Sequence, residues 1–191
     1  MFKEYDISFY GKRYKEKPTG REIGEISRKL TANRLSYDFI AKRVGENGCV
    51  FDPKVYSGTR KSDNFAAQQL FVIDIDENGT FVDMKMRAER YKLPLLFAYR
   101  TASWKPDSDK FRLVFAMDKV ITNADTAKII TAMFMRIFNE CDKSCGDLAR
   151  MFFGSTKGFY YLADEPREIS IQSLIIAFNS YMYDKYGESH Y

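Results

Sequence analysis

The sequence predicts an α+β protein in which an amino-terminal αβ module packs on an open sheet of order β-α-β-β-α-β, followed by a carboxy-terminal helix. Between residues 70 and 163, short β-prone segments alternate with longer segments whose apolar residues recur at helical spacing. Hydrophobic residues make up 45% of the 191 residues, which is enough for a packed core. The length fits one domain, for which we expect three parts: a basic module at 1–65, a core at 66–165, and a helix and tail at 166–191.

The amino-terminal module contains predicted helices of its own. Residues 1–18 are rich in Tyr and basic residues and predict a strand or arm. Apolar residues at helical spacing predict a first helix from Thr19 to Ala32, and a second, short helix begins at Ser36. Residues 49–56 predict extended chain interrupted at Pro53.

Basic residues concentrate in this module. Residues 1–64 contain 14 Lys and Arg against 9 Asp and Glu, whereas the whole chain has 30 against 26. Such an excess is typical of proteins that bind a polyanion, although Lys and Arg on a solvated helix face explain it equally well. The adjacent cations Arg60 and Lys61, in a polar loop, are the candidate nucleic-acid-binding residues.

The core begins with the apolar strand Phe71–Asp76, which ends in two acids. Side chains alternate along a strand, so Asp74 and Asp76 share one face with Val72. Two neighbouring carboxylates on a half-buried strand repel each other, and a divalent cation relieves that repulsion. Oxygen ligands suit Mg²⁺ or Mn²⁺, so the pattern predicts a metal site. Solvated acids at a strand end are the alternative interpretation.

The remaining elements complete the predicted sheet. They are a helix from Thr80 to about Lys92 with Val82 and Met86 inward, strands at 95–101 and 111–117, a helix at 124–140 capped by Asn123, a strand at 159–163, and a last helix capped by Ser170. The helix at 124–140 has a wide apolar face made of Ile129, Ile130, Met133, Phe134, Ile137 and Phe138, and the last helix has an inward face made of Ile171, Leu174, Ile175 and Phe178. This order is the split β-α-β, or ferredoxin-like, pattern, which also underlies RNA-recognition-motif sheets. Right-handed crossovers then place the first and third strands side by side, with both helices on one face. The other face stays open, and Arg112 lies there beside the two aspartates.

A third acid would complete a metal site. Asp118 at the end of the third strand, and Asp142 and Asp147 after the long helix, are the candidates, although turn and cap roles also suit them. Lys110 and Arg112 lie where they could hold phosphate oxygens, Arg112 in a bidentate way.

Several classes of function are disfavoured by composition. The three cysteines (Cys49, Cys141 and Cys145) are scattered and have no histidine companions, which excludes a disulfide framework and a zinc site. The only histidine is His190, so His-based triads are excluded. The polar amino terminus and the lack of a long apolar run lead us to expect a soluble, cytoplasmic protein without a membrane partner. A haloacid-dehalogenase-type phosphatase would need Thr where Asn78 stands, and a parallel sheet.

Four segments together carry a family resemblance: Phe71–Asp76, Tyr99–Ser103, Lys110–Phe115 and Asp142–Arg150. Their order resembles the archaeo-eukaryotic primase superfamily, including its primase-polymerases, and most closely the primase domains of phage and mobile-element replication proteins. The resemblance implies a template-dependent nucleotidyltransferase that makes or extends primers by a two-metal mechanism. It also implies Mg²⁺ or Mn²⁺, a single-stranded DNA template, NTP or dNTP substrates, and a replicative helicase as partner.

The resemblance also implies roles for residues. Asp74 and Asp76 match the first metal-binding pair, and Asp142 best matches the third acid, with Asp147 as the alternative.

Nucleotide binding departs from the family pattern. Where the superfamily usually has Ser-x-His, this chain has Lys110-Phe111-Arg112. The expected nucleotide-binding residues are therefore Arg112 and Lys110, together with Ser103 and Arg150. The missing histidine leaves open a non-catalytic nucleic-acid-binding replication module, and a metal-dependent phosphatase is the third hypothesis.

Overall fold

The structure, a computed structural model, describes residues 3–76 and 78–187. His190 lies outside the described residues. Within them the strands are β1 (Glu4–Tyr10), β2 (Thr31–Ser36), β3 (Val50–Asp52), β4 (Lys54–Tyr56), β5 (Phe65–Ile75), β6 (Phe97–Arg100), β7 (Phe111–Ile121), β8 (Phe152–Phe153) and β9 (Phe159–Leu162). The helices are α1 (Gly20–Lys29), α2 (Tyr37–Gly45), α3 (Phe81–Arg90), α4 (Ala124–Ile137) and α5 (Ile171–Tyr186). The α+β class is confirmed.

The strands form two sheets. The first has the order β2-β1-β3-β8 and the second the order β4-β5-β7-β6-β9, and neighbouring strands in both are antiparallel. The chain passes from the first sheet to the second at Pro53, between β3 and β4, where the sequence predicts an interruption. It returns to the first sheet for the two residues of β8 before β9 joins the second. The two sheets are therefore linked by the chain at both ends of the predicted core.

One face of the second sheet packs on helices in the predicted register. Phe71, Ile73 and Ile75 of β5 are buried with Phe111 and Leu113 of β7 against α3, α4 and α5. Aromatic rings of β7 and α4 also stack there, with the Phe115 and Phe134 ring centroids 4.8 Å apart. The alternation of apolar residues along both strands correctly predicted which side chains form this core.

The other face is covered, whereas the sequence predicted that it would be open. Val72, Val114 and Tyr99 are buried there against residues of the first sheet and α2, including Tyr5 and Ile40. The reason is that this face is itself mostly apolar, so covering it removes hydrocarbon from water on both sides. The sheet is accessible at one end, where the aspartates lie.

The strand order also differs from the ferredoxin-like pattern. The first and third predicted strands are neighbours, as expected, with Asp74 opposite Arg112 in the register. The fourth, β9, pairs with β6, and the edge beside β5 is taken by β4. Because β4 precedes β5 by a short connection, it can pair with β5 antiparallel as a local hairpin.

Helix starts were predicted better than helix faces. The side chains of Thr80, Asn123 and Ser170 each accept a hydrogen bond from the main-chain N–H three residues later, as helix caps do. The inward assignments of Val82, Met86 and Ile129 were wrong, since these side chains are 63%, 57% and 61% exposed. Ile171 and Ile175 of α5 were also assigned inward and are 39% and 38% exposed. In α3 the neighbours Met84 and Ala88 are buried instead, whereas Ile130 and Phe134 of α4 and Leu174 of α5 are buried as predicted.

Strand β2 was not predicted. Helix α1 ends at Lys29, and Thr31–Ser36 pairs with β1 where the sequence analysis extended the helix to Ala32. Across 3–76 and 78–187, none of the helices combines the length and the apolar character that a membrane span requires.

Candidate metal centre and cavity

Three acids from two distant segments meet at the end of β5. Asp74 lies in β5, Asp76 follows it, and Asp142 arrives on the segment after α4. The Asp142 main-chain N–H donates to the Asp74 carbonyl oxygen at 2.9 Å, which joins the two segments edge to edge. One ligand oxygen from each of these three carboxylates lies within 4.8 Å of the others. The structure thus brings Asp142 to the predicted pair.

Asp142 is fixed by its own local structure. Its Oδ1 accepts a hydrogen bond of 2.9 Å from the Ser144 N–H, capping a short 3-10 turn at Lys143–Gly146. Behind the acids, the Asp74 N–H donates to Cys145 Sγ at 3.3 Å. The turn therefore holds the third acid against the strand that carries the first.

Two arginines neutralise part of this negative charge. Arg150 donates to Asp74 Oδ2 at 2.7 Å and to Asp142 Oδ2 at 2.9 Å, so its guanidinium spans the first and third acids. Arg112 lies 3.0 Å from the same Asp74 oxygen. A planar, permanently charged group with several donors suits such a bridge.

Arg112 lies beneath the acids rather than on an open surface. Its side chain is 10% exposed. Its guanidinium donates to the Tyr99 hydroxyl at 3.2 Å and to the Phe153 carbonyl oxygen. Burial works against its charge, yet Asp74 and Tyr99 leave the pKa of Arg112 above its ordinary value. Its terminal nitrogens are thus engaged by protein groups.

The two more accessible acids differ in how easily they ionise. Burial, and then the charge of Asp74, raise the pKa of Asp76 above its ordinary value. Burial acts in the same direction on Asp142, but hydrogen bonds from Ser144 and the charge of Arg150 lower the pKa of Asp142 on balance. Asp76 is therefore the harder of these two acids to ionise.

The acids fit a divalent cation. Asp74 Oδ1 is buried and accepts no hydrogen bond from the part of the chain that the structure describes. An unsatisfied buried carboxylate oxygen is costly, and a bound cation would satisfy it. Three carboxylates without a nitrogen or sulfur ligand form the oxygen donor set that Mg²⁺ and Mn²⁺ prefer.

The acids face a cavity of about 410 Å³. The predicted nucleotide-binding residues Ser103, Lys110, Arg112 and Arg150 all line it. The full lining is Lys17, Asp74, Asp76, Thr101, Ala102, Ser103, Lys110, Arg112, Asp142, Ser144, Asp147, Arg150, Met151 and Phe153. This volume is in the range of small-molecule sites.

Lys17 lines the cavity and was not predicted as a site residue. It belongs to the amino-terminal module, where the sequence indicated only that residues 1–18 are basic. Among the residues that the structure describes, the ammonium groups of Lys17 and Lys110 make no hydrogen bond or ion pair, unlike the guanidinium groups of Arg112 and Arg150. Lys17 and Lys110 are the cations of the cavity that remain available to an anion.

Other predicted residues lie outside the acid cluster. Asp147 lines the cavity, but its carboxylate accepts from the Ala149 N–H at 2.8 Å. Asp118 lies toward the far end of β7 and is exposed. Arg60 is turned into the protein, where it bonds to Ser27 Oγ and the Ala149 carbonyl oxygen, while Lys61 is exposed beside it.

Comparison with known proteins bears on the fold. Neither a protein family nor a curated protein sequence matches the chain. A solved structure with a similar fold is the AEP domain of the primase-polymerase (PrimPol) of cyanophage S-2L, at 13% sequence identity and a TM-score of 0.50, covering 91% of this chain and 88% of that one. The chain has an archaeo-eukaryotic primase-type fold. At 13% identity this likeness shows the fold alone, and the chemistry of the chain depends on the residues of its own site.

Proposed function

We propose that the chain is a metal-dependent nucleotidyltransferase of the primase or primase-polymerase type, which makes or extends primers on a single-stranded DNA template. The observation that carries this proposal is the set of three carboxylates, within 4.8 Å of one another, in a cavity that also holds uncommitted lysines. The primase-type fold supports the same class of reaction.

Asp74, Asp76 and Asp142 would hold Mg²⁺ or Mn²⁺. Cations bound there would activate the primer 3′-hydroxyl and stabilise the leaving pyrophosphate. The protein's own contribution is to hold the acids in place, which Arg150 does by spanning Asp74 and Asp142. Arg112 adds a second, buried restraint on Asp74.

The triphosphate of an NTP or dNTP would be held chiefly by Lys17 and Lys110, with the Ser103 hydroxyl. To contact a phosphate, these ammonium groups need not break a hydrogen bond or an ion pair with any residue that the structure describes. Arg112 and Arg150 line the same cavity, but to bind phosphate either must release Asp74. Direct phosphate binding by these two arginines stays a prediction.

The template would lie along the basic amino-terminal module. Lys61 is exposed there, and a positively charged groove suits a single strand of DNA. A replicative helicase and a role in mobile-element replication belong to the same proposal.

The direct test is incubation of labelled nucleotides with a primed single-stranded template and Mn²⁺ or Mg²⁺. We expect extension products from the wild type and none from Asp76→Asn. The matched control is Asp118→Asn, which removes an exposed acid of β7 that lies outside the cluster. Template binding without products would instead favour the non-catalytic replication module, the second candidate, which the missing histidine motivates.

Release of phosphate from small esters, without extension, would favour the metal-dependent phosphatase. The antiparallel pairing in both sheets speaks against the parallel, doubly wound phosphatase fold.

A further inference from the structure

A buried polar cluster behind the candidate site is centred on Asp52, whose side chain is fully buried. Lys54 Nζ lies 2.9 Å from Asp52 Oδ1, and the Tyr56 hydroxyl lies 2.6 Å from Oδ2. Arg60 approaches the same Oδ2 at 4.0 Å. Isolated buried charges are costly, and apolar residues of similar volume would fill such a space at least as stably.

The cluster holds three consecutive main-chain carbonyls. Lys54 Nζ donates to the Arg150 carbonyl oxygen at 3.0 Å, and the Tyr56 hydroxyl lies 2.8 Å from that of Leu148. Arg60 donates to the carbonyl oxygen between them, that of Ala149. The segment 148–150 is thus held by Lys54 and Arg60, and by Tyr56, whose single hydroxyl proton is shared between Asp52 Oδ2 and the Leu148 carbonyl oxygen.

The held segment ends in the arginine that spans two acids. Arg150 reaches Asp74 and Asp142 from a main chain whose position this cluster fixes. We propose that Asp52, Lys54, Tyr56 and Arg60 are positioning residues that set Arg150 between the first and third acids. In this way they control the separation of the carboxylates that bind metal. The metal part of this inference rests on the proposed function.

The chain offers a matched control for a test. The Tyr37 hydroxyl, like that of Tyr56, lies between two acceptors, the Ala163 carbonyl oxygen at 2.9 Å and the Asp164 carbonyl oxygen at 3.3 Å. Neither acceptor lies in the segment 142–151. Tyr37→Phe therefore makes the same chemical change as Tyr56→Phe at a place that does not hold Arg150.

The experiment compares these two variants in the full chain by hydrogen–deuterium exchange and by Mn²⁺ titration followed by electron paramagnetic resonance. We expect both to lower the thermal midpoint. Only Tyr56→Phe should speed exchange over 142–151 and weaken Mn²⁺ binding, by about twofold to tenfold for the loss of one hydrogen bond. Arg60→Met, which removes the contact with Ala149, should act in the same direction.

Equal exchange over 142–151 in Tyr56→Phe and Tyr37→Phe would overturn the positioning role. Faster exchange in Tyr56→Phe with unchanged Mn²⁺ affinity would overturn the link to the metal ligands. A wild type that binds Mn²⁺ but incorporates no nucleotide contradicts the proposed function alone. If the wild type binds no Mn²⁺, the proposed function fails, and the exchange comparison still decides the positioning role.

Discussion

At the scale of residues, the acids of the cluster are held in unequal ways. Asp74 is buried between two arginines, whereas Asp76 makes no ion pair with any residue that the structure describes, and its pKa is raised, first by burial and then by Asp74. The charge of Asp74 therefore supports the folded state, and that of Asp76 opposes it. Substitution of Asp74 and substitution of Asp76 should therefore have different effects on the free energy of unfolding.

We expect Asp76→Asn to leave the free energy of unfolding unchanged or slightly higher, since it removes a repelled charge. Asp74→Asn should lower that free energy by about 3 kcal/mol, because two buried guanidinium groups lose their carboxylate. Both should lower nucleotide incorporation at least about 100-fold. Urea denaturation in EDTA gives the stabilities, and equal losses in the two variants would contradict the unequal roles.

The two uncommitted lysines lead to a second prediction. Lys17→Ala and Lys110→Ala should each raise the KM for nucleotide about tenfold, since each removes a charged contact to phosphate. Steady-state kinetics against nucleotide concentration measures this, with Lys119→Ala, an exposed cation in β7, as the control. An unchanged KM in both cavity variants would rule them out as phosphate ligands.

The sequence led to part of this site. Asp74 and Asp76 follow from the alternation of one strand, and Asp142 followed from a family resemblance in a short segment. Lys17 and the Asp52 cluster depend on how distant segments pack, and no local pattern encodes that. The contacts of Arg60 were also not predicted from the sequence: its guanidinium bonds to Ser27 and Ala149, while the nucleic-acid contact that its charge suggested stays a prediction.

At the scale of elements, a side-chain pair joins α3 to the end of α4. The Arg87 guanidinium contacts both Glu140 oxygens, at 2.6 and 2.8 Å, and also donates to the Ile137 carbonyl oxygen at 3.0 Å. The side chains are 24% and 16% exposed, so water screens the pair only in part. This pair fixes the two helices that cover the sheet below Asp74.

Glu140→Gln should therefore lower the free energy of unfolding by about 1–3 kcal/mol at neutral pH. Burial raises the pKa of Glu140, but Arg87 outweighs it and the pKa lies below its ordinary value. A lowered pKa in the folded state means that the stabilisation is complete above the unfolded value of about 4.3 and is lost as the pH falls through the folded value.

Urea denaturation of the wild type and of Glu140→Gln between pH 3 and pH 7 measures this effect. The difference between the two should be constant at neutral pH and shrink in acid. A difference that does not change with pH would show that the carboxylate charge is not what matters.

The start of a helix could be predicted where it depends on residues that are close in the sequence. The caps at Thr80, Asn123 and Ser170 each need only a few neighbouring residues. The inner face of α3 was not predictable, because Val82 and Met86 form one apolar stripe and Met84 and Ala88 another. Packing against the sheet selects the second stripe. Strand β2 exists because β1 pairs with it, which its own sequence does not indicate.

At the scale of the whole molecule, the two sheets share a core. Tyr5 and Phe51 of the first sheet are buried together with Val72 and Val114 of the second. Separating the sheets would expose apolar surface on both. This common core supports the proposal that residues 1–191 form one domain, with 1–65 and 166–191 as parts of it.

We therefore expect a single cooperative unfolding transition. Trp104 fluorescence, which reports on the second sheet, and far-ultraviolet circular dichroism should give coincident urea midpoints. Native-state hydrogen exchange should give β1 and β5 the same free energy of opening. Separate midpoints, or an early opening of β1 alone, would instead indicate two independent units.

The arrangement of the sheets was only partly predictable. Helical and strand spacing predicted the order of the elements, and right-handed crossovers then placed the first and third core strands side by side. Either β4 or β9 could pair with the free edge of β5, and the structure has β4 there. Which of the two pairs with β5 depends on the whole sheet and cannot be read from one segment. The covered face was missed because the predicted ferredoxin-like sheet has its helices on one side only.

The return of the chain to the first sheet at β8 has a consequence for how the protein folds. The bonds that assemble the site join residues far apart in sequence: 76 positions separate Arg150 from Asp74, and 96 separate Arg150 from Lys54. Contacts of such long range form slowly, because much chain must be ordered before they close. During synthesis, β5 leaves the ribosome well before the segment that restrains its acids. The site is thus a late product of folding, and any chain that stops before residue 150 carries the Asp74 carboxylate without the arginine that joins it to Asp142.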